Sequence, residues 1–183
     1  MILIYSAKNL MTKYITYIQL RAARHVLNLG VRDIAKILKV SKATISKTEL
    51  GKTRDFLYKH SAALLEFFEH HNIFFPNEYV IRYHINPEII DKIQKYNYGL
   101  TRFQLRAARY ILNINQTELA NIINVDKGII TRAEQLQNAD FINPQDHSII
   151  LKLIHIFHER NIEFPDQLSV FYKKYMDNTS DRR

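Results

Sequence analysis

Cysteine is absent from the whole chain. That excludes a disulfide framework, a thiol nucleophile, an iron–sulfur cluster and any Cys-type zinc site. Glycine is scarce: Gly30, Gly51, Gly99 and Gly128 are the only four. None belongs to a phosphate loop, a dinucleotide fingerprint or a Gly-x-Ser-x-Gly elbow. No stretch approaches the ~20 apolar residues of a membrane helix. The opening MILIYSAKNL lacks a basic start and a long apolar core, so no signal peptide is expected. Acidic residues are scattered, and no carboxylate pair stands out for acid–base chemistry. The eight histidines (His25, His60, His70, His71, His84, His147, His155 and His158) contain no His-x-x-x-His. His155 and His158 lie one turn apart and could meet one ion, but no third ligand has diagnostic spacing. We therefore expect no enzyme, metal, cofactor or small-molecule ligand.

What remains is a foldable and basic chain. Hydrophobic residues make up 46% and charged residues 24%, enough for a core and against wholesale disorder. Lys and Arg number 26 against 18 Asp and Glu, a net charge of +8 with a pI near 9.6. Such a balance favours a polyanionic partner, nucleic acid before a membrane surface.

The chain is an internal duplication. Residues 16–56 align without a gap on residues 101–141, with 17 of 41 positions identical. Both copies contain the run QLRAAR, at 19–24 and 104–109. Each continues into a helical stretch, HSAALLEFFEHHNIFFP and HSIILKLIHIFHERNIEFP. The division expected is a first module over 1–86, a linker helix over 87–98 opened by Pro87, a second module over 99–176 and a tail over 177–183.

Within each module the periodicity is helical. Thr16 and Thr101 stand three residues before Gln19 and Gln104, the spacing of a capping box. Helices are expected at about 17–29, 31–38, 42–50 and 60–71 in the first copy. In the second they are expected at about 102–114, 116–123, 127–135 and 146–160. YVIRYHI (79–85), SVFYKKY (169–175) and Ile2–Tyr5 alternate enough for short strands, pairing within the chain or across a dimer.

Two short helices joined by a tight turn suggest helix-turn-helix. Ala35 and Ala120 sit where helix 2 would cross helix 3, Val40 and Val125 would plug the turn, and Ile45 and Ile130 would face inward. In these residues each module resembles the Cro/cI-type (XRE-like) repressor family. The resemblance is strongest over 19–56 and 104–135. It implies an all-α fold of two tandem lambda-repressor-like helix-turn-helix domains with short peripheral β-strands. It also implies structural ion pairs between helix 1 and the end of helix 3, Arg24 with Glu49 and Arg109 with Glu134. Some positions depart from the family pattern. Lys39 and Asn124 replace the turn glycine, and Thr48 and Ala133 replace a large apolar residue on helix 3. Gln116 matches the family's phosphate-holding residue, whereas the first copy has Val31 followed by Arg32.

By the same resemblance, Ser41 caps helix 3, and Lys42, Ala43, Thr44 and Lys47 face base edges in the major groove. Arg32, Ser46, Lys52, Thr53 and Arg54 suit phosphates. In the second copy the corresponding face carries Gln116, Lys127, Gly128, Ile129, Thr131 and Arg132. The copies differ in charge: residues 31–59 sum to +5 and residues 116–146 to −3. Phosphate neutralisation drives DNA affinity, so the first copy is the stronger reader expected.

The function expected is sequence-specific binding of double-stranded DNA by a transcriptional regulator, with repression by occlusion as the default. Such a protein would be cytoplasmic and nucleoid-associated, bacterial or phage. Two arrangements stay open. The duplicate acts as an internal pseudo-dimer on unlike half-sites ~34 Å apart. Otherwise the second module, or the β-strands, makes a homodimer, which the charge asymmetry favours. The rival from another class is a protein-interaction module, antitoxin-like or an anti-regulator, in which the helix faces bind a protein partner.

Overall fold

The structure, a computed structural model, describes residues 13–85, 99–135, 137–142 and 147–173. The expected linker helix at 87–98, the strand at Ile2–Tyr5 and the tail at 177–183 lie outside the described residues. Among those residues the chain is mostly helical with a small antiparallel sheet. The first repeat runs α1 (Tyr17–Val26), α2 (Val31–Ile37), α3 (Lys42–Glu49), α4 (Arg54–His70), β1 (Ile73–Phe74) and β2 (Val80–Tyr83). The second runs α5 (Arg102–Ile111), α6 (Gln116–Ile123), α7 (Lys127–Gln135), α8 (His147–Glu159), β3 (Ile162–Glu163) and β4 (Ser169–Tyr172).

Local chemistry explains the boundaries. Thr16 and Thr101 each accept from the backbone N–H three residues on, and Gln19 and Gln104 return the bond, completing both capping boxes. The same glutamines also reach the hairpins. Gln19 Nε2 donates to the carbonyls of Asn77 and Val80, and Gln104 Nε2 to those of Asp166 and Ser169. Helices α1 and α5 end sooner than periodicity suggested, because Asn28 and Asn113 turn left-handed (φ 58° and 56°). Asn72 and Asn161 do the same after α4 and α8. Helix α4 starts earlier than expected, at Arg54, and its first turns bury Leu57 in line with Leu64 and Phe68.

Lys39 is the exception among the left-handed residues. Its φ is 55°, and its counterpart Asn124 has the same value. A side chain longer than Asn or Asp carries a penalty of about 1–2 kcal/mol in this region. Lys39→Asn is therefore expected to stabilise the chain by about 1 kcal/mol. Thermal unfolding should read that as a rise of roughly 2–4 °C, and an unchanged melting temperature would contradict it.

The buried residues of both repeats form one cluster. Ala35 and Ala120 are buried where expected, Ile45 and Ile130 are wholly buried, and Val40 and Val125 pack half-buried against the core. Helix α1 packs along α5, and Ala22, Ala23, Ala107 and Ala108 on these two helices are all fully buried.

The sheet corrects one expectation. Its order is β1-β2-β4-β3, antiparallel throughout. The strands are not peripheral: β2 of one repeat pairs with β4 of the other, and Ile81 and Val170 at the centre are fully buried. The edge strands β1 and β3 have two residues each, too few for a visible alternation in the sequence.

Candidate nucleic-acid interface

The candidate face is built on α2 and α3. Asp33 accepts from the N–H of Gly30 at 2.7 Å and closes the start of α2. The chain turns at Lys39, where the N–H of Val40 donates to the Ala35 carbonyl at 2.9 Å. Ser41 then caps α3, accepting from the Thr44 N–H at 3.1 Å, and the two hydroxyls also meet at 2.9 Å. Ile45 points inward, which leaves Lys42, Ala43 and Lys47 exposed and Thr44 and Ser46 half-exposed.

Helix α3 is clamped from inside. Thr48 is buried; its hydroxyl donates to the Thr44 carbonyl and meets the Thr53 hydroxyl at 2.7 Å. Thr53, expected at a phosphate, is therefore engaged within the chain, and Arg54 directly after it opens α4. Arg24 grips Glu49 with two parallel bonds, 2.5 and 2.7 Å, and donates to the Leu29 carbonyl at 2.6 Å. Both partners are buried. Arg109 and Glu134 repeat this, again at 2.5 and 2.7 Å, with the Ile114 carbonyl as third partner.

The electrostatics follow from who is paired. Arg32, Lys36, Lys39, Lys42, Lys47 and Lys52 are exposed, and none takes part in an ion pair among the described residues. Of the acids nearby in sequence, Glu49 is buried against Arg24, while Asp33 caps α2 and keeps its charge half-exposed. Only Asp55 remains exposed. A basic surface is left with little compensation.

The equivalent face of the second repeat is different. The Gln116 amide donates to Glu134 at 3.0 Å and accepts from the Thr131 hydroxyl at 3.1 Å. The Lys127 carbonyl, also 3.1 Å from the Thr131 hydroxyl, competes with Gln116 for its one proton. Both residues, expected to touch DNA, have their polar groups turned to partners in the chain. Ile129 is half-buried rather than exposed. Lys127 and Arg132 remain exposed, but so do Glu118, Asp126 and Asp140. Asp126 also accepts from the Gly128 N–H at 2.7 Å.

No family model matches the chain, and no curated protein or solved structure shows significant similarity to it. Among the described residues no group of three or more His, Asp or Glu is arranged to hold a metal ion. His155 meets Glu159 at 3.3 Å on an exposed face instead. Among those residues, too, no helix is long and apolar enough to cross a membrane. A cleft of ≈ 420 Å³ lies between α8 and the β3–β4 hairpin, lined by Gln104, Leu151, Ile154, His158 and Phe164, on different elements from α7.

Sequence reasoning missed the arginines of the seam. Arg21, Arg102 and Arg106 are all buried between the repeats. Arg21 donates to the Glu49, Tyr110 and Ile111 carbonyls, at 3.0, 2.8 and 3.0 Å. Arg102 donates to the Glu134 and Val26 carbonyls, and both Arg102 and Arg106 donate to the Asn28 side chain. Burial, then the neighbouring Arg106 charge, push the Arg102 guanidinium down to about 10. For Arg21 and Arg106 the available signal was the QLRAAR run, identical in both copies and longer than one ion pair requires; Arg102 lies outside it and aligns with Tyr17.

His25 lies in the same seam. Its ring stacks on Tyr110, centroids 3.4 Å apart and planes 5° from parallel. Burial, then the neighbouring Arg24 charge, push its pKa down to about 3. The folded chain thus refuses a proton that the unfolded chain takes near pH 6.5. Stability is complete above about pH 6.5 and falls as pH drops towards about 3. We expect the melting temperature to fall between about pH 7 and about pH 5, the part of that window above most carboxylate titration. His25→Tyr, which installs the residue found at the equivalent place in the second repeat, should reduce that fall. Equal slopes for the two proteins would exclude His25 as its source.

Proposed function

We propose that each repeat is a Cro/cI-like helix-turn-helix unit. In this reading the protein is a sequence-specific double-stranded-DNA-binding transcriptional regulator acting in the cytoplasm on the nucleoid. Helix α3 enters the major groove with its N-terminal end foremost, and α7 is the candidate second reader. Lys42 and Lys47 address guanine O6 or N7, and the Ala43 methyl suits a thymine methyl. Arg32, Lys36, Lys39 and Lys52 neutralise phosphates and release counterions. Repression by occluding a promoter requires no further part.

The observation that carries this reading is the set of six exposed cations on α2, α3 and the turns after them, which outnumbers the half-exposed Asp33 and the exposed Asp55. The test is binding of the full chain to random duplex DNA across a salt series. Neutralising about four phosphates gives a log–log slope near −3.6. A flat salt dependence, or no retention at low salt, would overturn the reading.

The second repeat favours one rival. Its exposed acids, half-buried Ile129 and internally bonded Gln116 and Thr131 suit a basic protein partner better than a phosphate backbone. A protein-interaction function, antitoxin-like or anti-regulator, predicts no selection of sequence from a random duplex library.

A further inference from the structure

The two repeats meet as a dimer would, about a local two-fold axis. Equivalent residues face each other across it. His25 and Tyr110 occupy matching positions of the aligned repeats and stack on one another. Ile81 and Val170 are equivalent and stand opposite each other in the central strand pair. The hydrogen bonds beside them are reciprocal: the Tyr83 N–H donates to the Leu168 carbonyl at 2.8 Å, and the Tyr172 N–H to the Tyr79 carbonyl at 3.0 Å. An interface that uses the same patch on both sides is the isologous kind that makes closed dimers. Here it is buried within one chain.

The reading helices are tied to this axis by their C-terminal ends. Arg21 bonds the carbonyl of Glu49, the last residue of α3, and with the same guanidinium the last turn of α5. Arg102 bonds the carbonyl of Glu134 near the end of α7, and with the same guanidinium the last residue of α1. Each of these helix ends is thus fixed to the opposite repeat at the seam.

Resting on the DNA reading above, we infer that one chain alone engages both halves of a single duplex site, and that the halves are unlike. Lys42 and Lys47 on α3 align with Lys127 and Arg132 on α7. Both helices keep cations at the same reading positions. Between them, Ala43 and Thr44 align with Gly128 and Ile129, so the two helices offer different groups to the bases. The phosphate grip is one-sided. Arg32, Lys36, Lys39 and Lys52 align with Thr117, Asn121, Asn124 and Gln137. The partner is therefore an imperfect palindrome, held mainly by the first half and read by both.

The test selects a duplex from a random library with the full chain, weighs the complex by light scattering, and footprints it. The expected result is one chain per duplex and two protected half-sites about one helical turn apart. Arg132→Ala should weaken binding about tenfold and relax selectivity in one half only, with its melting temperature confirming the fold. Two chains per duplex, a single protected half-site, or unchanged affinity in Arg132→Ala would overturn the inference while leaving DNA binding intact. No enriched duplex at low salt would overturn the DNA reading itself.

Discussion

Glu134→Gln is expected to destabilise the chain by about 3–5 kcal/mol. The substitution keeps the shape and removes the charge. Glu134 is buried and holds Arg109 with two bonds, approaches Arg106 at 3.8 Å and accepts from Gln116. Arg109 is itself only 2% exposed. Neutralising the carboxylate would strand two guanidinium groups in the interior, and the Arg106 Nε already has no hydrogen-bond partner among the described residues. Breaking a buried pair costs this much because the surviving charge has neither its counter-ion nor water. For a chain of this size the melting temperature should drop by roughly 6–20 °C. Glu49→Gln should cost less, since that carboxylate pairs with one guanidinium, Arg24, where Glu134 serves two. Arg24→Ala should lower the melting temperature as well. If Glu134→Gln unfolds within about 2 °C of the wild type, the clamp is not a source of stability.

Local features of this fold were readable wherever one residue type answers one local need. The Thr–Gln pairs announced two helix starts, and Ser41 and the aligned alanines announced a capped α3 crossing α2. The Arg–Glu partners are also where the resemblance implied. The features that were hidden depend on segments far apart in the chain. The β2–β4 pairing joins residues 80–82 to 169–171, and nothing in either segment names its partner. Arg21 and Arg106 resemble any solvated basic residue on a helix until α5 is seen packed on α1. Gln116 illustrates the same limit within the candidate site. Its type and position suit a phosphate, but Glu134 and Thr131 compete for the same amide and are within bonding distance of it. Exposed cations were the most legible part of the site, because a lysine on a short polar helix face has few internal partners to find.

Neutralising Lys42 and Lys47 together should weaken specific DNA binding about a hundredfold, since each base-edge bond is worth roughly 1–3 kcal/mol. The fold should persist. Both side chains are exposed on α3, neither takes part in an ion pair among the described residues, and alanine is the better helix former at both places. The salt dependence then separates two roles for these lysines. A lysine on a phosphate releases a counterion, so removing two such lysines flattens the log–log slope by about 1.8 and weakens all sequences alike. A lysine on a base edge carries selectivity, so its removal narrows the gap between the selected duplex and random DNA. Ser41 bonds the Thr44 N–H and hydroxyl and fixes the first turn of α3, which holds Lys42 at the leading end while Lys47 follows more than one turn later. We therefore expect Lys42→Ala and Lys47→Ala both to narrow that gap, Lys42→Ala the more, with the log–log slope little changed in either. Full affinity in the double variant would mean that α3 does not face the DNA, and the binding face would have to be sought among Arg32, Lys36 and Lys52.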